Sequence, residues 1–225
     1  MKSYLENWSA LVNEKDPSDF LRTDALWGEN QGPDNSSRQY WVSFLSSLVE
    51  FKENIQMVLE VGFGSCVDFE IVEKSGLLNT GKLIYSGVEV TGAFYNMAKK
   101  LFPKMLIKLT DGETLDYPDK HFDVVYTRHT LEHQENYRAI LKEMMRVCKS
   151  YMVITFFIPL KDVLFDTNVY DGMWFHNTMS KQMFLDLCYT GGFVVERIEN
   201  FKTEIVADEI LKVYTDQVVI LKRKS

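Results

Sequence analysis

Residues 58–66 read VLEVGFGSC, an apolar strand-like run that carries Glu60 and opens into the glycines Gly62 and Gly64. Glycine has no Cβ and tolerates positive φ angles, so alternating glycines let a backbone turn sharply and approach a ligand closely. The pattern is typical of a cofactor-binding turn between a strand and a helix. On its own it fits an ordinary tight turn equally well, so the neighbouring stretches decide between the two.

The composition indicates one globular α/β domain and disfavours several functional classes. The chain has 225 residues, of which 46% are hydrophobic and 25% are charged, and its net charge of −7 disfavours a nucleic-acid partner. We find neither a secretory leader nor a membrane-spanning run, so we expect no membrane association. Three cysteines without a CxxC spacing suggest neither a disulfide framework nor a zinc site, and we expect a cytoplasmic protein.

From Gln56 onward, short apolar runs alternate with amphipathic segments, which is the pattern of a repeated strand–helix unit. Strands are predicted at Met57–Val61, Leu83–Val90, Met105–Leu109, Phe122–Tyr126, Tyr151–Phe157, Phe193–Asn200 and Val213–Lys222. Strands joined by helices predict a seven-stranded, mostly parallel sheet covered by helices on both faces. The last two runs are too close for a crossover helix and predict an antiparallel C-terminal hairpin.

We predict that the single domain, residues 1–225, has three parts. Residues 1–55 form a helical cap or lid, interrupted by a loop at Trp27–Arg38; residues 56–157 form the cofactor-binding core; and residues 158–225 supply a substrate-pocket insertion and the closing strands. The helical segments carry two apolar stripes, one of Trp8, Leu11 and Val12 and one of Tyr40, Trp41, Phe44, Leu45 and Leu48.

Ligands of an open α/β sheet bind beyond the carboxyl ends of the strands, and acidic residues stand at two of these ends. Glu89 lies at the end of the second strand, at the separation expected of a carboxylate that binds ribose hydroxyls, although it also fits a solvated strand-end charge. Asp111 follows the third strand, where it could accept a hydrogen bond from an exocyclic amine or simply belong to an Asp-Gly turn.

Three segments in this order, LEVGFG, GVEVT and DGETLDYPDKHFDVVYTRHTLEH, resemble the class I S-adenosylmethionine-dependent methyltransferases. More narrowly, they resemble the group typified by ubiquinone and menaquinone biosynthesis enzymes. The resemblance covers about Met57 to Phe157 and implies a Rossmann-like fold with S-adenosylmethionine as cofactor and S-adenosylhomocysteine as product. An NAD-binding protein is the nearest alternative, but such proteins prefer three glycines. Cys66 stands where the methyltransferase pattern usually has glycine.

The resemblance also implies a set of cofactor contacts. At the methionine and sulfonium end these are Glu60, Gly62, Phe63, Gly64, Thr127 and Arg128, with His133 as a packing residue on the cofactor side. At the nucleoside end they are Glu89 on the ribose, Val90 on the adenine face, Asp111 on the adenine amine, and the backbone of Gly112 and Glu113 beside the ring nitrogens.

Two of the four histidines are catalytic candidates. His129 follows the fourth strand, where an imidazole could take a proton from a substrate hydroxyl, and we expect activity to fall as the pH drops through about 6.5. His176 lies in a segment rich in aromatic and hydrogen-bonding groups that suits an acceptor pocket. Packing roles are the alternative for both. No metal is expected, because His129 stands where a further carboxylate would be needed.

Together these features predict methyl transfer to an oxygen, or less favourably a nitrogen, of a small molecule such as a sugar, a glycan precursor or a secondary metabolite. Residues 127–130, which read TRHT, lack the Asp/Asn-Pro-Pro-aromatic sequence associated with methylation of nucleobase amines. The alternative is a nucleoside-binding or scaffolding protein that keeps the cofactor pocket without catalysis. The sequence leaves the oligomeric state open.

Overall fold

The computed structural model describes residues 36–54, 56–170, 175–207 and 210–225, and for 203–207 and 210–212 it describes the backbone alone. The helices are α1 Ser36–Phe51, α2 Val67–Lys74, α3 Gly92–Leu101, α4 Tyr137–Val147 and α5 Lys181–Thr190. The strands are β1 Gln56–Val61, β2 Leu83–Glu89, β3 Leu106–Leu109, β4 Phe122–Arg128, β5 Cys148–Phe156, β6 Thr167–Tyr170, β7 Phe175–Thr178, β8 Phe193–Ala207 and β9 Ile210–Arg223. Short 3₁₀ turns occupy Leu77–Thr80 and Leu131–His133.

Seven strands form one sheet in the order β3-β2-β1-β4-β5-β9-β8. The strands β1 to β5 pair in parallel, whereas β9 pairs antiparallel with both β5 and β8. This arrangement confirms the predicted mostly parallel sheet with an antiparallel C-terminal hairpin. Because β1 and β4 are neighbours while β2 lies on the other side of β1, the strand order reverses at β1, where ligands of such sheets bind.

Helices cover both faces of the sheet, because successive strand residues alternate between two apolar cores. Leu59 and Val125 pack with α4 and α5 on one face, while Val58 and Val124 pack with α1, α2 and α3 on the other. The α4 residues Ile140, Leu141, Met144, Met145 and Val147 all lie in the first core, as their predicted stripe requires.

Two local features differ from the sequence-based prediction. The segment after β5 contains the two-stranded antiparallel sheet β6–β7, which no strand pattern had indicated. Ser36, Ser37 and Arg38, assigned to a loop, lie in α1, since serine and asparagine favour helix N-termini as well as loops. The first apolar stripe and residues 27–35 lie outside the described residues.

The closing hairpin is longer than predicted and reaches past the sheet. The last pair between β5 and β9 joins Phe156 to Gln217, but β8 and β9 continue for seven more pairs, from Phe201–Asp216 to Ala207–Ile210. The extension projects on the side where the parallel strands end. It therefore brings residues of β9 to the edge of the sheet at which the predicted site residues gather.

Candidate active site

A cavity of about 380 Å³ lies at the carboxyl ends of β1, β2 and β4, within the size range of small-molecule sites. The predicted site residues in its lining are Glu60, Gly62, Phe63, Gly64, Glu89, Val90, Arg128, His129, His133 and His176. The structure thus brings together most of the predicted set. It also adds Arg38, Asp68, Phe157, Tyr214 and Asp216, among others.

The turn after β1 needs both glycines, for different reasons. Gly62 has a φ of +75°, and a Cβ placed on it would lie 2.4 Å from the hydroxyl oxygen of Thr130, so there is no room for a side chain. Gly64 has a φ of +48°, and a Cβ there would meet no atom within 4 Å. Because Gly64 also lines the cavity, the missing side chain leaves open space that a ligand can occupy.

Cys66 departs from the glycine usual at its position while keeping a conformation that glycine favours. Its φ is +63°, in the left-handed region, and the residue is fully buried at the N-terminus of α2. Burial, reinforced by Glu60 and Glu89, raises the pKa of the Cys66 thiol well above its usual value. The thiol therefore packs as a neutral group, and the backbone carries the strain of a non-glycine residue.

Glu89 is buried at the end of β2 and is held by backbone groups. Oε2 accepts a hydrogen bond from Gly64 N at 2.9 Å, while Oε1 accepts from Val90 N at 3.1 Å and from Thr91 N at 2.9 Å. Burial raises the pKa of Glu89, and these three bonds, together with a hydrogen bond from the Thr91 side chain, oppose that rise. A carboxylate has about four lone-pair sites, so a ligand hydroxyl at this position would compete with the Thr91 side chain.

A buried charged cluster lines the part of the cavity beneath the β1 turn. Arg38 of α1 pairs with Asp68 of α2 at 3.1 Å, and the Tyr126 hydroxyl donates to the same carboxylate. Glu60 accepts a hydrogen bond from the Tyr85 hydroxyl at 3.0 Å, and burial raises the pKa of Glu60 well above its usual value. These groups form a mixed-charge wall that suits a zwitterionic amino acid.

The predicted adenine contacts Asp111, Gly112 and Glu113 lie outside the cavity lining. Asp111 Oδ1 accepts from the backbone N–H of Glu113 at 3.0 Å, which makes the Asp-Gly pair a hydrogen-bonded turn. Thr127 is also outside the lining, because its buried hydroxyl donates to Val61 O at 2.7 Å and ties β4 to β1. The cofactor contacts of these residues stay predictions.

At the end of β4, Arg128 and His129 meet Asp216 of β9. Arg128 Nη2 lies 2.6 Å from Asp216 Oδ2, and His129 Nε2 lies 2.9 Å from Oδ1. Burial, together with the positive charge of Arg128, lowers the pKa of His129 to about 4, although Asp216 opposes that shift. The imidazole is therefore neutral at pH 7, and its titration lies well below the value of about 6.5 assumed from the sequence.

The other histidines of the cavity gather around Phe157. The His133 ring stacks on Phe157 with a centroid distance of 4.9 Å, and its Nδ1 lies 2.9 Å from Phe175 O. His176 of β7 meets the His133 ring edge-on at 5.8 Å. This wall combines aromatic faces with hydrogen-bonding groups, and from the aromatic-rich segment 166–176 it includes His176. Trp174, part of the same sequence pattern, lies outside the described residues.

The sequence analysis missed three charged site residues, because their positions at the cavity depend on how their helices and strands pack. Arg38 lies in the stretch assigned to a loop, and Asp216 lies in β9 beside Gln217, just before the apolar run Val218–Leu221. A carboxylate next to this buried run was the available signal for Asp216. Asp68 lies in the first turn of α2, where acidic residues are common, so only the structure distinguishes it.

No group of three or more His, Cys, Asp or Glu residues within ranges 36–54, 56–170, 175–207 and 210–225 is arranged to hold a metal ion. In the same part of the chain, no helix is both long enough and apolar enough to cross a membrane.

Comparison with known proteins agrees with the geometry. Residues 59–154 match the family model described as a methyltransferase domain, which spans β1 to β5 and hence the cavity's main strands. Over residues 59–154 the chain is a methyltransferase domain with the class I, S-adenosylmethionine-dependent fold. S-adenosylmethionine is accordingly its cofactor. The narrower resemblance of this methyltransferase to the ubiquinone and menaquinone group stays a prediction, and a search of curated proteins found no significant match.

Solved structures share the fold of this methyltransferase at low sequence identity. An S-adenosylmethionine-dependent methyltransferase from Mesorhizobium loti is 13% identical with a TM-score of 0.59, and the alignment covers 85% of this chain and 100% of that one. One from Methanosarcina mazei is 14% identical with a TM-score of 0.56, covering 79% and 97%. The 1,6-didemethyltoxoflavin-N1-methyltransferase of Burkholderia thailandensis, solved with 1,6-didemethyltoxoflavin and S-adenosylhomocysteine, is 13% identical with a TM-score of 0.59, covering 96% and 89%.

Proposed function

We propose that this enzyme transfers the methyl group of S-adenosylmethionine to an oxygen of a small molecule such as a sugar, a glycan precursor or a secondary metabolite. The observation that carries the proposal is the neutral His129 ring in the cavity wall, paired with Asp216 at 2.9 Å. An alcohol is a weak nucleophile until it loses its proton, and a neutral imidazole can accept that proton. A neutral amine already has a free lone pair and has less need of such a base.

The cavity wall fits the methionine part of the cofactor. Arg38 Nε is buried and has no hydrogen-bond partner among the described residues, and Arg38 lines the cavity. We assign it to the cofactor carboxylate, because a guanidinium binds carboxylates through several parallel donors. Asp68 and Glu60 are assigned to the ammonium side, and the open space at Gly64 admits the chain that joins the amino acid to the ribose.

The nucleoside part follows the strand ends. Glu89, in the cavity lining at the end of β2, is assigned to a ribose hydroxyl, and Val90 lines the cavity beside it, in position for the adenine face. Asp111, Gly112 and Glu113 remain the proposed contacts for the adenine edge, beyond the cavity's present lining. The trialkyl sulfonium carries an activated methyl group, so the protein mainly has to align the acceptor and exclude water.

The acceptor side of the cavity favours an uncharged molecule. The rings of Phe157, His133 and His176 offer flat apolar faces with polar edges, which suit sugars and aromatic hydroxyl compounds.

We also propose that the domain is divided into a cap, a cofactor-binding core and a substrate segment, as the sequence predicts. It is supported by the position of Arg38 on α1, of Glu60 and Glu89 in residues 56–157, and of His176 and Asp216 in residues 158–225. Action in the reducing cytoplasm is supported by Cys66, Cys148 and Cys188, which are buried free thiols.

The first experiment is calorimetric titration with S-adenosylmethionine and S-adenosylhomocysteine, with NAD and ATP as controls. We expect binding of the sulfur nucleosides alone. A library of matched pairs, each an alcohol and the amine of the same skeleton, is then incubated with deuteromethyl-labelled cofactor and followed by mass spectrometry. Labelled ethers from the alcohols support the proposal. Labelled amines alone would reassign the acceptor atom to nitrogen, and binding without any transfer would favour the alternative of a silent nucleoside-binding protein.

A further inference from the structure

Asp216, at the base of the extended β8–β9 hairpin, joins three segments of the chain that are far apart in sequence. Its Oδ2 accepts hydrogen bonds of 2.6 Å from the Ser37 hydroxyl of α1 and of 2.6 Å from Arg128 Nη2 of β4. Its Oδ1 lies 2.9 Å from Nε2 of His129. The carboxylate is buried, and each of its two oxygens has its own partners.

The protonation state of Asp216 determines the tautomer of His129. Burial alone would raise the pKa of Asp216, but His129, Arg128 and Ser37 hold it well below its usual range, so the carboxylate is ionised. An ionised carboxylate only accepts hydrogen bonds. The proton between Oδ1 and the imidazole must therefore sit on Nε2. In the neutral ring the lone pair is then on Nδ1.

The surroundings of His129 hold the ring in this orientation while leaving it accessible. The residue has a φ of +52°, in the left-handed region, and its backbone N–H donates to Thr155 O at 2.9 Å. The Phe157 ring contacts the imidazole edge-on at 5.3 Å. Nδ1 has no hydrogen-bond partner within the described ranges, and the side chain is 18% exposed in the cavity wall.

We infer that Asp216 is a positioning residue for methyl transfer: its Oδ1 fixes His129 as the Nε2–H tautomer, so that Nδ1 accepts the proton of the acceptor hydroxyl. This inference rests on the proposed function. The hydroxyl oxygen forms a bond to the methyl carbon while the carbon–sulfur bond breaks, and its electron pair remains on sulfur in neutral S-adenosylhomocysteine. The hydroxyl proton moves to Nδ1, and Asp216 faces the imidazolium cation that results.

The variant Asp216→Asn tests the assignment sharply. An amide has one accepting oxygen and one donating nitrogen, and the two donors Ser37 and Arg128 orient the oxygen towards themselves. The amide nitrogen then faces Nε2 of His129, which must become the acceptor. The proton moves to Nδ1, the nitrogen that should accept the substrate proton. The variant therefore keeps a similar shape but reverses the tautomer.

The measurement is ¹⁵N NMR of the full chain with labelled histidine at pH 7, with and without S-adenosylhomocysteine. We expect a protonated Nε2 in the wild type, the reverse in D216N, and the wild-type pattern in S37A, which leaves Oδ1 untouched. A wild-type His129 that carries its proton on Nδ1 overturns the inference, whatever the stability of the variants.

Kinetics with a hydroxyl acceptor from the alcohol and amine library completes the test. We expect D216N to lower kcat about 100-fold or more, with the Kd for S-adenosylhomocysteine within about threefold of the wild type, and H129Q and D216N to be non-additive. Wild-type kcat in D216N overturns this inference alone. If the wild type methylates amines but no alcohol, the proposed function fails, and this inference fails with it.

Discussion

The carboxylate of Glu89 and the backbone N–H of Gly64 are joined by a hydrogen bond of 2.9 Å that links the end of β2 to the turn after β1. Through the same side chain, Val90 and Thr91 are tied to this turn as well. One carboxylate therefore shapes the backbone on both sides of the proposed nucleoside site. Loop geometry and ligand binding depend on the same two oxygens.

Replacing Glu89 by glutamine should weaken cofactor binding. The amide nitrogen of Glu89→Gln would face backbone N–H donors instead of accepting from them, and the ribose would lose a charge-assisted hydrogen bond. We expect the Kd for S-adenosylhomocysteine to rise by about 10- to 100-fold, as loss of such a bond implies. Calorimetry measures this, with the exposed Glu73→Gln as the matched control. An unchanged Kd in E89Q would show that the ribose site is misplaced.

Adding a side chain at Gly62 should mainly reduce stability, whereas adding one at Gly64 should mainly reduce cofactor binding. Gly62→Ala forces a Cβ to within 2.4 Å of Thr130, so we expect a loss of about 2–4 kcal/mol in the free energy of unfolding. The second substitution Thr130→Ala should restore the part that is due to overlap. Gly64→Ala meets nothing within 4 Å, so it should lose only about 1 kcal/mol to left-handed backbone strain and should mainly weaken cofactor binding. Urea titrations and calorimetry separate the two effects; equal stability of both variants would contradict this account.

The sheet could be predicted because its residues follow simple periods. Val58 and Leu59 pack on opposite faces, as do Val124 and Val125, and such alternation between two apolar cores is visible in the sequence as continuous apolar runs. The hairpin β6–β7 could not be predicted in this way. Its strand β6, Thr167–Tyr170, is exposed throughout, so no burial pattern marks it.

The site was predictable where residues follow parallel strands directly. Glu60, Gly62 and Glu89 take their places from strand ends, a relationship that sequence order specifies. Arg38 and Asp216 reach the cavity through the packing of α1 and the overhang of β9, which depend on tertiary contacts. The pKa of His129 was missed for the same reason, because burial and Arg128 determine it.

At position 66, glycine should give a more stable protein than alanine, which is the reverse of the usual effect of these two residues on stability. With φ at +63°, glycine can adopt the native backbone without strain, whereas alanine keeps the strain and loses the buried thiol. We therefore expect Cys66→Gly to be more stable than Cys66→Ala by about 1 kcal/mol. Chemical denaturation of both variants measures the difference. An advantage for alanine would mean that the left-handed conformation of residue 66 costs little.

On the acid side, kcat/KM should fall at an unusually low pH for an enzyme with a histidine base. The groups facing His129 are Asp216 from β9, Arg128 from β4 and Arg38 from α1. Burial and the two arginines lower its pKa to about 4, against the opposing effect of Asp216. The neutral ring persists above that value, so kcat/KM should fall only as the pH drops towards 4. His129→Gln should remove the limb, and His121→Gln should keep it. A limb centred near 6.5 would contradict the environment described for His129.

Glu132 should make the protein less stable as the pH rises towards 8. The residue is 1% exposed, Oε1 accepts from Phe157 N at 2.7 Å, and Oε2 is buried with no hydrogen-bond partner among the described residues. Burial raises the pKa of Glu132 from 4.5 to about 8. The folded state therefore keeps a proton that the unfolded chain has already lost, and stability falls between these two pH values.

The variant Glu132→Gln isolates this effect, because it cannot ionise. Between pH 4.5 and 6.5, His129 has the opposite influence, since its lowered pKa makes stability rise with pH there. From pH 6.5 to 8, of these two groups only Glu132 contributes, so the wild type should lose up to about 1.4 kcal/mol per pH unit relative to E132Q. Urea unfolding of both proteins at pH 6.5, 7.2 and 8.0 measures the slope. Parallel stability curves over this range would mean that Glu132 is ionised in the folded protein.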